Sequence, residues 1–218
     1  MPRRNPQLVT NEIYHVFNRG VEKRDIFSVE REYKHFIETL GHYRTSNEKL
    51  SRKGKILLKK ESANNLAEIL CFCLMPNHFH LLLKQISDEG ISHFIRKAAN
   101  SYTRYFNIKN NRVGPLFQGA FKAVRIETDE QLLHVSRYIH INPLTGHIVL
   151  REKLTSFPWS SLPEYLRKES LSEEETSKYI NKSIVLSHFT SVKGYKRFIL
   201  DYADYKISQA NFQHLFLE

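Results

Sequence analysis

The segment Ala67-Glu-Ile-Leu-Cys-Phe-Cys-Leu-Met75 is almost unbroken apolar sequence, and it dictates more of the fold than any other stretch. Eight apolar residues in nine, followed by a turn, read as a strand in the centre of a sheet, where neighbours cover the chain. Pro76-Asn77 supplies the turn, and His78-Phe-His-Leu-Leu-Leu-Lys84 reads as a second strand running back along the first. A tight β-hairpin is therefore expected at the heart of the fold.

Residues 12–18 (Glu-Ile-Tyr-His-Val-Phe-Asn) are β-branched and aromatic and break at Arg19-Gly20, so they predict an earlier strand and a turn. From about Ser28, Tyr33, Phe36, Ile37 and Leu40 recur at the spacing of a buried helical stripe. A second stripe, Ile91, Phe94, Ile95, Ala98, Tyr102 and Phe106, predicts a helix over 90–109. After a Gly114-Pro115 break, Phe121 to Ile126 reads as a strand. A last framework helix opens at Thr128 with Gln131 three residues on, a capping box, buries Leu132, Val135 and Ile139, and is expected to stop at Pro143. The order strand, helix, strand, strand, helix, strand, helix predicts an α+β fold, the ferredoxin-like βαββαβ antiparallel sheet with helices on one face. Polar, basic residues 45–65 are expected to form a mobile insertion, with Lys55 to Lys59 as a short strand. Beyond Ser160 the signals weaken: 166–182 is charged and rich in Ser and Glu, and 195–202 reads as one more helix. The expected organisation is a catalytic domain over 1–165 and a C-terminal helical, charged extension over 166–218.

Lysine and arginine number 33 against 23 acidic residues, a net charge of +10. Such a balance points to a polyanionic partner, because binding to phosphates releases their counterions. It names the class of partner and not the chemistry. The opening Met1-Pro-Arg-Arg-Asn-Pro-Gln lacks the apolar run of a signal peptide, and no stretch reaches the roughly 18–20 apolar residues of a membrane span. Cys71 and Cys73, the only cysteines, are spaced poorly for a local disulfide and read as small core residues in a reducing compartment. A cytoplasmic protein with no membrane contact is expected.

Two constellations carry chemistry. On a strand, His78 and His80 project to one face while Phe79 enters the other, and two neutral imidazoles side by side make half a site for a divalent metal. With 11 histidines in the chain, chance alone supplies about half such a pair per chain of this composition, so the motif gains force only from its place directly after a turn. The second constellation is Arg137-Tyr138-Ile-His-Ile-Asn142-Pro143. Tyr138 and Asn142 stand four apart, on one helical face, away from Leu132, Val135 and Ile139; alone, such a tyrosine reads as an amphipathic packing residue.

The segments Tyr14-His-Val-Phe-Asn-Arg-Gly20, Leu74-Met-Pro-Asn-His-Phe-His-Leu-Leu-Leu83, Gly114-Pro-Leu-Phe-Gln-Gly119 and Tyr138-Ile-His-Ile-Asn-Pro143 occur in this order. Together they resemble the single-tyrosine HUH transposases, in particular the REP-associated tyrosine transposase branch, over roughly residues 10–160. The resemblance implies that His78 and His80 bind Mg²⁺ or Mn²⁺, that Tyr138 is the nucleophile, and that Asn142 completes the metal site, where many relatives outside this branch carry Gln. It implies a DNA transposase that cleaves and rejoins single-stranded DNA through a 5′-phosphotyrosine, recognising hairpin (REP-like) DNA. It leaves room for a homodimer, since some relatives exchange the tyrosine helix between subunits.

The chemistry suits those roles. A phenol's ordinary pKa lies near 10, so a metal that polarises the scissile phosphate and stabilises the leaving oxygen has work to do. A neutral ligand set is unusual for Mg²⁺, so metal binding without DNA is expected to be weak, and stronger for Mn²⁺. Arg19, in the Asn-Arg-Gly turn, Arg104 and Lys122 are candidate DNA contacts; Tyr102, Tyr105 and Phe106 are candidate stacking surfaces for unpaired bases. Two rival readings stand beside this one. A metal-dependent hydrolase would need further ligands close to His80, where Leu81-Leu-Leu follows instead. A non-catalytic nucleic-acid-binding protein would keep the scaffold without cutting.

Overall fold

A computed structural model describes residues 7–45, 65–167 and 179–214. The expected insertion and its Lys55–Lys59 strand lie almost wholly outside the described residues, as does much of 166–182. Four strands, β1 (Ile13–Arg19), β2 (Ala67–Met75), β3 (His78–Gln85) and β4 (Lys122–Ile126), form one antiparallel sheet in the order β2-β3-β1-β4. Six helices are described: α1 (Glu30–Tyr43), α2 (Gly90–Lys109), α3 (Asp129–Thr145), α4 (Leu162–Leu166), α5 (Ser183–Leu186) and α6 (Val192–His214). The βαββαβ unit and its predicted boundaries are those of the sequence to within a few residues.

The two helices inside that unit, α1 and α2, lie together on one face of the sheet, as expected. Their predicted stripes are all buried there, packed with Tyr14, Val16, Phe79, Leu81 and Leu83 from the strands. Each fully buried side chain of this size contributes about 1.5–3 kcal/mol. α1 is fastened at its start by Glu32, whose carboxylate accepts hydrogen bonds from the backbone N–H groups of Ser28 (2.6 Å) and Val29 (3.2 Å). Gly90 opens α2 where any Cβ would lie 2.0 Å from the carbonyl oxygen of Leu66, so the helix start rests directly on the entry to β2.

The opposite face is covered too. α3 and the helices after it pack Leu132, Ile139, Leu162, Tyr165, Tyr195 and Ile199 against Leu70, Cys71, Cys73, Met75 and Leu82. Residues on both sides of position 165 thus share one apolar cluster. β2 is apolar at every position but Glu68 for this reason, but it is an edge strand and not a central one. Its outer edge is closed by chain from beyond the framework: the N–H of Leu74 donates to Trp159 O (2.8 Å), Ser161 N–H to Phe72 O (3.0 Å) and Asn181 N–H to Ile69 O (2.8 Å). Double-sided burial plus a covered edge reads in sequence like a sheet centre.

Two details of α3 depart from expectation. The Oγ1 of Thr128 caps the N–H of Gln131 (3.2 Å), but the Gln131 side chain reaches one residue further back, to Glu127 N–H (2.8 Å), so the box is displaced. Pro143 does not stop the helix, which runs on to Thr145. Proline removes its own N–H and crowds the carbonyl one turn back, but the groups after it stay paired: Gly146 N–H bonds Asn142 O (2.8 Å), and Pro143 O accepts from Ile148 (2.8 Å) and Val149 (3.1 Å). Among the described residues no helix is long and apolar enough to cross a membrane.

Candidate active site

β1 and β3 pair so that Arg19 faces His78 and Phe17 faces His80. Alternation along each strand then puts His15, Phe17 and Arg19 on the same face as His78, His80 and Leu82. This is the face crossed by α3. There Tyr138, 39% exposed, stands nearly perpendicular to the rings of His80 (centroids 5.4 Å apart) and His15 (5.9 Å). The rings of His78 and His80 stand 5.0 Å apart and nearly perpendicular. Tyrosine and imidazoles, 58 residues or more apart in sequence, meet within one chain.

His15 is the site residue that sequence reasoning missed. It stacks on His80 at 5.1 Å, and its Nε2 lies 2.9 Å from His80 Nδ1. Burial pushes the pKa of His15 down to about 4 and, reinforced by the neighbouring His15, His78 and Arg19, that of His80 down to about 2. Burial, and secondarily Arg19, also lowers that of His78, against the hydrogen bond it makes with Asn142. All three imidazoles are therefore neutral at physiological pH, the form in which an imidazole can donate a lone pair to a metal.

Asn142 is buried. Its Nδ2 donates to the carbonyl oxygen of Tyr138 (3.2 Å), which leaves Oδ1 as the atom free to face His78. The Nδ1 of His78 is engaged by Asn77 Oδ1 at 2.5 Å and that of His80 by His15, so Nε2 is the nitrogen each ring turns away from these partners, and His78 also hydrogen-bonds Asn142. Two imidazole nitrogens and one amide oxygen converging on one face fit a divalent cation with coordination positions left open for substrate. Among the described residues no group of three or more His, Cys, Asp and Glu is placed to hold a metal.

Of the candidate cations, Arg19 and Lys122 lie on the site face: Lys122 pairs with Phe17 across β1 and β4, and both are exposed. Arg104 is exposed on α2, on the opposite side of the sheet, and is not brought to the tyrosine. The expected stacking surfaces are not free. Tyr102 is fully buried, its hydroxyl donating to Ile26 O (2.5 Å), Phe106 is buried beside it, and Tyr105 stacks on His35 at 3.9 Å. They face the α1–α2 core, as the stripe that contains two of them required.

Behind α3 lies a second polar cluster. The ring of His140 bonds the hydroxyl of Ser161 through Nε2 (2.8 Å), and that of Tyr195 on α6 through Nδ1 (2.7 Å). Full burial drives its pKa down to about 3 and keeps it neutral. The chain segments after 160 are thus fastened to the back of the helix whose front carries Tyr138.

The family described as Transposase IS200 like matches residues 28–142, just over half of the chain. The fold is similar to a solved REP-associated tyrosine transposase bound to a REP hairpin, with a TM-score of 0.55 over 80% of this chain and 93% of that one, at 14% identity. At that identity the likeness is one of fold. No curated protein sequence gives a significant match.

Proposed function

The chain belongs to the IS200-like transposase family, and from that premise we propose that it cleaves and rejoins single-stranded DNA at or beside hairpin, REP-like structures, with Tyr138 as the nucleophile. The observation that supports this best is the meeting of an exposed phenol with His80 and His15 in one chain, on a face open to solvent and flanked by Arg19 and Lys122.

The Tyr138 oxygen bonds to the scissile phosphorus, the bond from phosphorus to the 3′ oxygen breaks, the phenolic proton is lost and the 3′ oxygen ends as a hydroxyl. The resulting 5′-phosphotyrosine keeps the energy of the broken bond for the reverse attack by a 3′-hydroxyl. Mg²⁺ or Mn²⁺, held by His78, His80 and Asn142, would polarise the phosphate and stabilise the leaving oxygen. Arg19 and Lys122 hold backbone phosphates along the approach to Tyr138. α3 fixes the angle of attack, because its buried side, Leu132, Ile139 and Pro143, is packed and its exposed side is not.

The test is incubation of the chain with single-stranded hairpin DNA and Mn²⁺ or Mg²⁺, followed by a denaturing gel. A covalent protein–DNA band that Tyr138→Phe abolishes is the expected result. Cutting without that band would favour a metal-dependent hydrolase, and binding of the same DNA without cutting would favour a nucleic-acid-binding protein on this scaffold.

A further inference from the structure

We propose that His15 is a positioning residue that selects the ligating nitrogen of His80, an inference that rests on the reading of His78, His80 and Asn142 as a metal site. A neutral imidazole has one N–H and one lone pair, and the partner of one nitrogen decides the state of the other. His80 Nδ1 lies 2.9 Å from His15 Nε2, close enough that one of the two must donate and the other accept. If His80 donates through Nδ1–H, its Nε2 carries the free lone pair and can hold a cation. If His15 donates, His80 Nε2 bears the proton and is blocked. Only the first arrangement is compatible with a metal at His80, so His15 must present an unprotonated Nε2.

The surroundings hold His15 to that task. It stacks on His80, and its ring contacts Phe17 at 5.0 Å and Tyr138 at 5.9 Å, so two aromatic neighbours limit its rotation. Its strand position, opposite Leu82 on β3 and Val124 on β4, fixes its height above the sheet. His78 has a comparable partner in Asn77, whose Oδ1 lies 2.5 Å from Nδ1 and can only accept. The pair of ligands thus has a pair of acceptors behind it, one amide and one imidazole.

The experiment uses the full chain, DNA-free, with ¹⁵N-labelled histidine, and reads the His80 tautomer from long-range ¹H–¹⁵N correlations. The expected result is a proton on Nδ1 and none on Nε2; a proton on Nε2 overturns the proposal. Titration with Mn²⁺ alone then compares wild type with His15→Phe, which keeps a ring for packing but no acceptor, and with His15→Gln, which restores an acceptor oxygen. A loss in Mn²⁺ affinity of roughly 10–100-fold in His15→Phe, partly recovered in His15→Gln, is expected. Unchanged affinity in His15→Phe, or a loss in His15→Gln larger than in His15→Phe, would assign His15 to packing and overturn the proposal. Pulsed EPR of the Mn²⁺ complex should show two coordinated imidazoles, and three would make His15 a ligand instead. Should His15→Phe fail to fold, the wild-type tautomer and the imidazole count still decide. Absence of Mn²⁺ binding by the wild-type chain would sink the metal-site reading itself, a result separate from a wrong tautomer in a chain that binds.

Discussion

The Nδ1 atom of His140 on α3 lies 2.7 Å from the hydroxyl oxygen of Tyr195 on α6, so the helix that carries Tyr138 is pinned from behind by the C-terminal part of the chain. Both residues are fully buried, and Ser161 satisfies the second ring nitrogen at 2.8 Å. A polar group paired in the interior costs little; the same group left without its partner costs its full desolvation.

Tyr195→Phe keeps the ring and removes only the hydroxyl, leaving one nitrogen of His140 without this partner. A loss of about 1–3 kcal/mol is expected, read as a lower urea midpoint with an unchanged slope. Because the front of α3 is untouched, formation of the covalent adduct well below the unfolding transition should persist.

Glu32, almost fully buried, meets the Lys109 ammonium at 2.7 Å as well as two backbone N–H groups. Burial alone would raise its pKa, but these partners together outweigh burial and hold it below the ordinary value of 4.5. The folded state therefore binds this proton less readily than the unfolded one. The stabilisation is present above the ordinary pKa and is lost as pH falls through the lowered one. Glu32→Gln should cost about 1.5–3 kcal/mol at neutral pH and flatten the acid limb of a plot of Tm against pH; an acid limb identical to wild type would contradict this.

Arg19 and Lys122 lie on the sheet face crossed by the tyrosine's helix, and Tyr102 lies on the other. Removing a phosphate contact lowers the salt slope of single-strand binding by about 0.7. Arg19→Ala and Lys122→Ala are each expected to do so, with Arg104→Ala, on the other layer, showing the smaller effect. Tyr102→Phe should destabilise the chain while leaving DNA affinity and its salt dependence unchanged, measured by fluorescence anisotropy across a salt series.

A site of two imidazoles and an amide brings no negative charge of its own to a cation. Calorimetry of the DNA-free chain should show weak Mg²⁺ binding and tighter Mn²⁺ binding, with both strengthened when DNA phosphate is present. Chelation should abolish cutting, and either ion should restore it. Tight Mg²⁺ binding without DNA would contradict the neutral ligand set.

The framework was legible because periodicity reports burial. The stripes of α1 and α2, the hairpin of β2 and β3, and the shared face of His78 and His80 follow from periodicity and turns within single segments. What escaped the sequence depends on register between segments. His15 becomes a site residue only once β1 lies beside β3 with Phe17 opposite His80. His140 looks like a polar interruption of the α3 stripe until Ser161 and Tyr195 are placed against it. Likewise, Tyr102 and Phe106 lie among cations in sequence, although their stripe already directed them inward. Pro143 reads as a terminator because one lost N–H looks decisive locally, whereas the carbonyls around it find donors beyond the helix.

The outer rim of β2, hydrogen-bonded by Trp159, Ser161 and Asn181, has a bearing on how this chain can be shortened. A polypeptide ending before Trp159 would leave a long apolar strand with a row of unmatched amides and carbonyls along its flank. Such a rim is a template for another copy of itself, and strand-to-strand stacking into insoluble ribbons is its natural outcome. The closing segments thus act as a selvedge, keeping the sheet from unravelling into its neighbours.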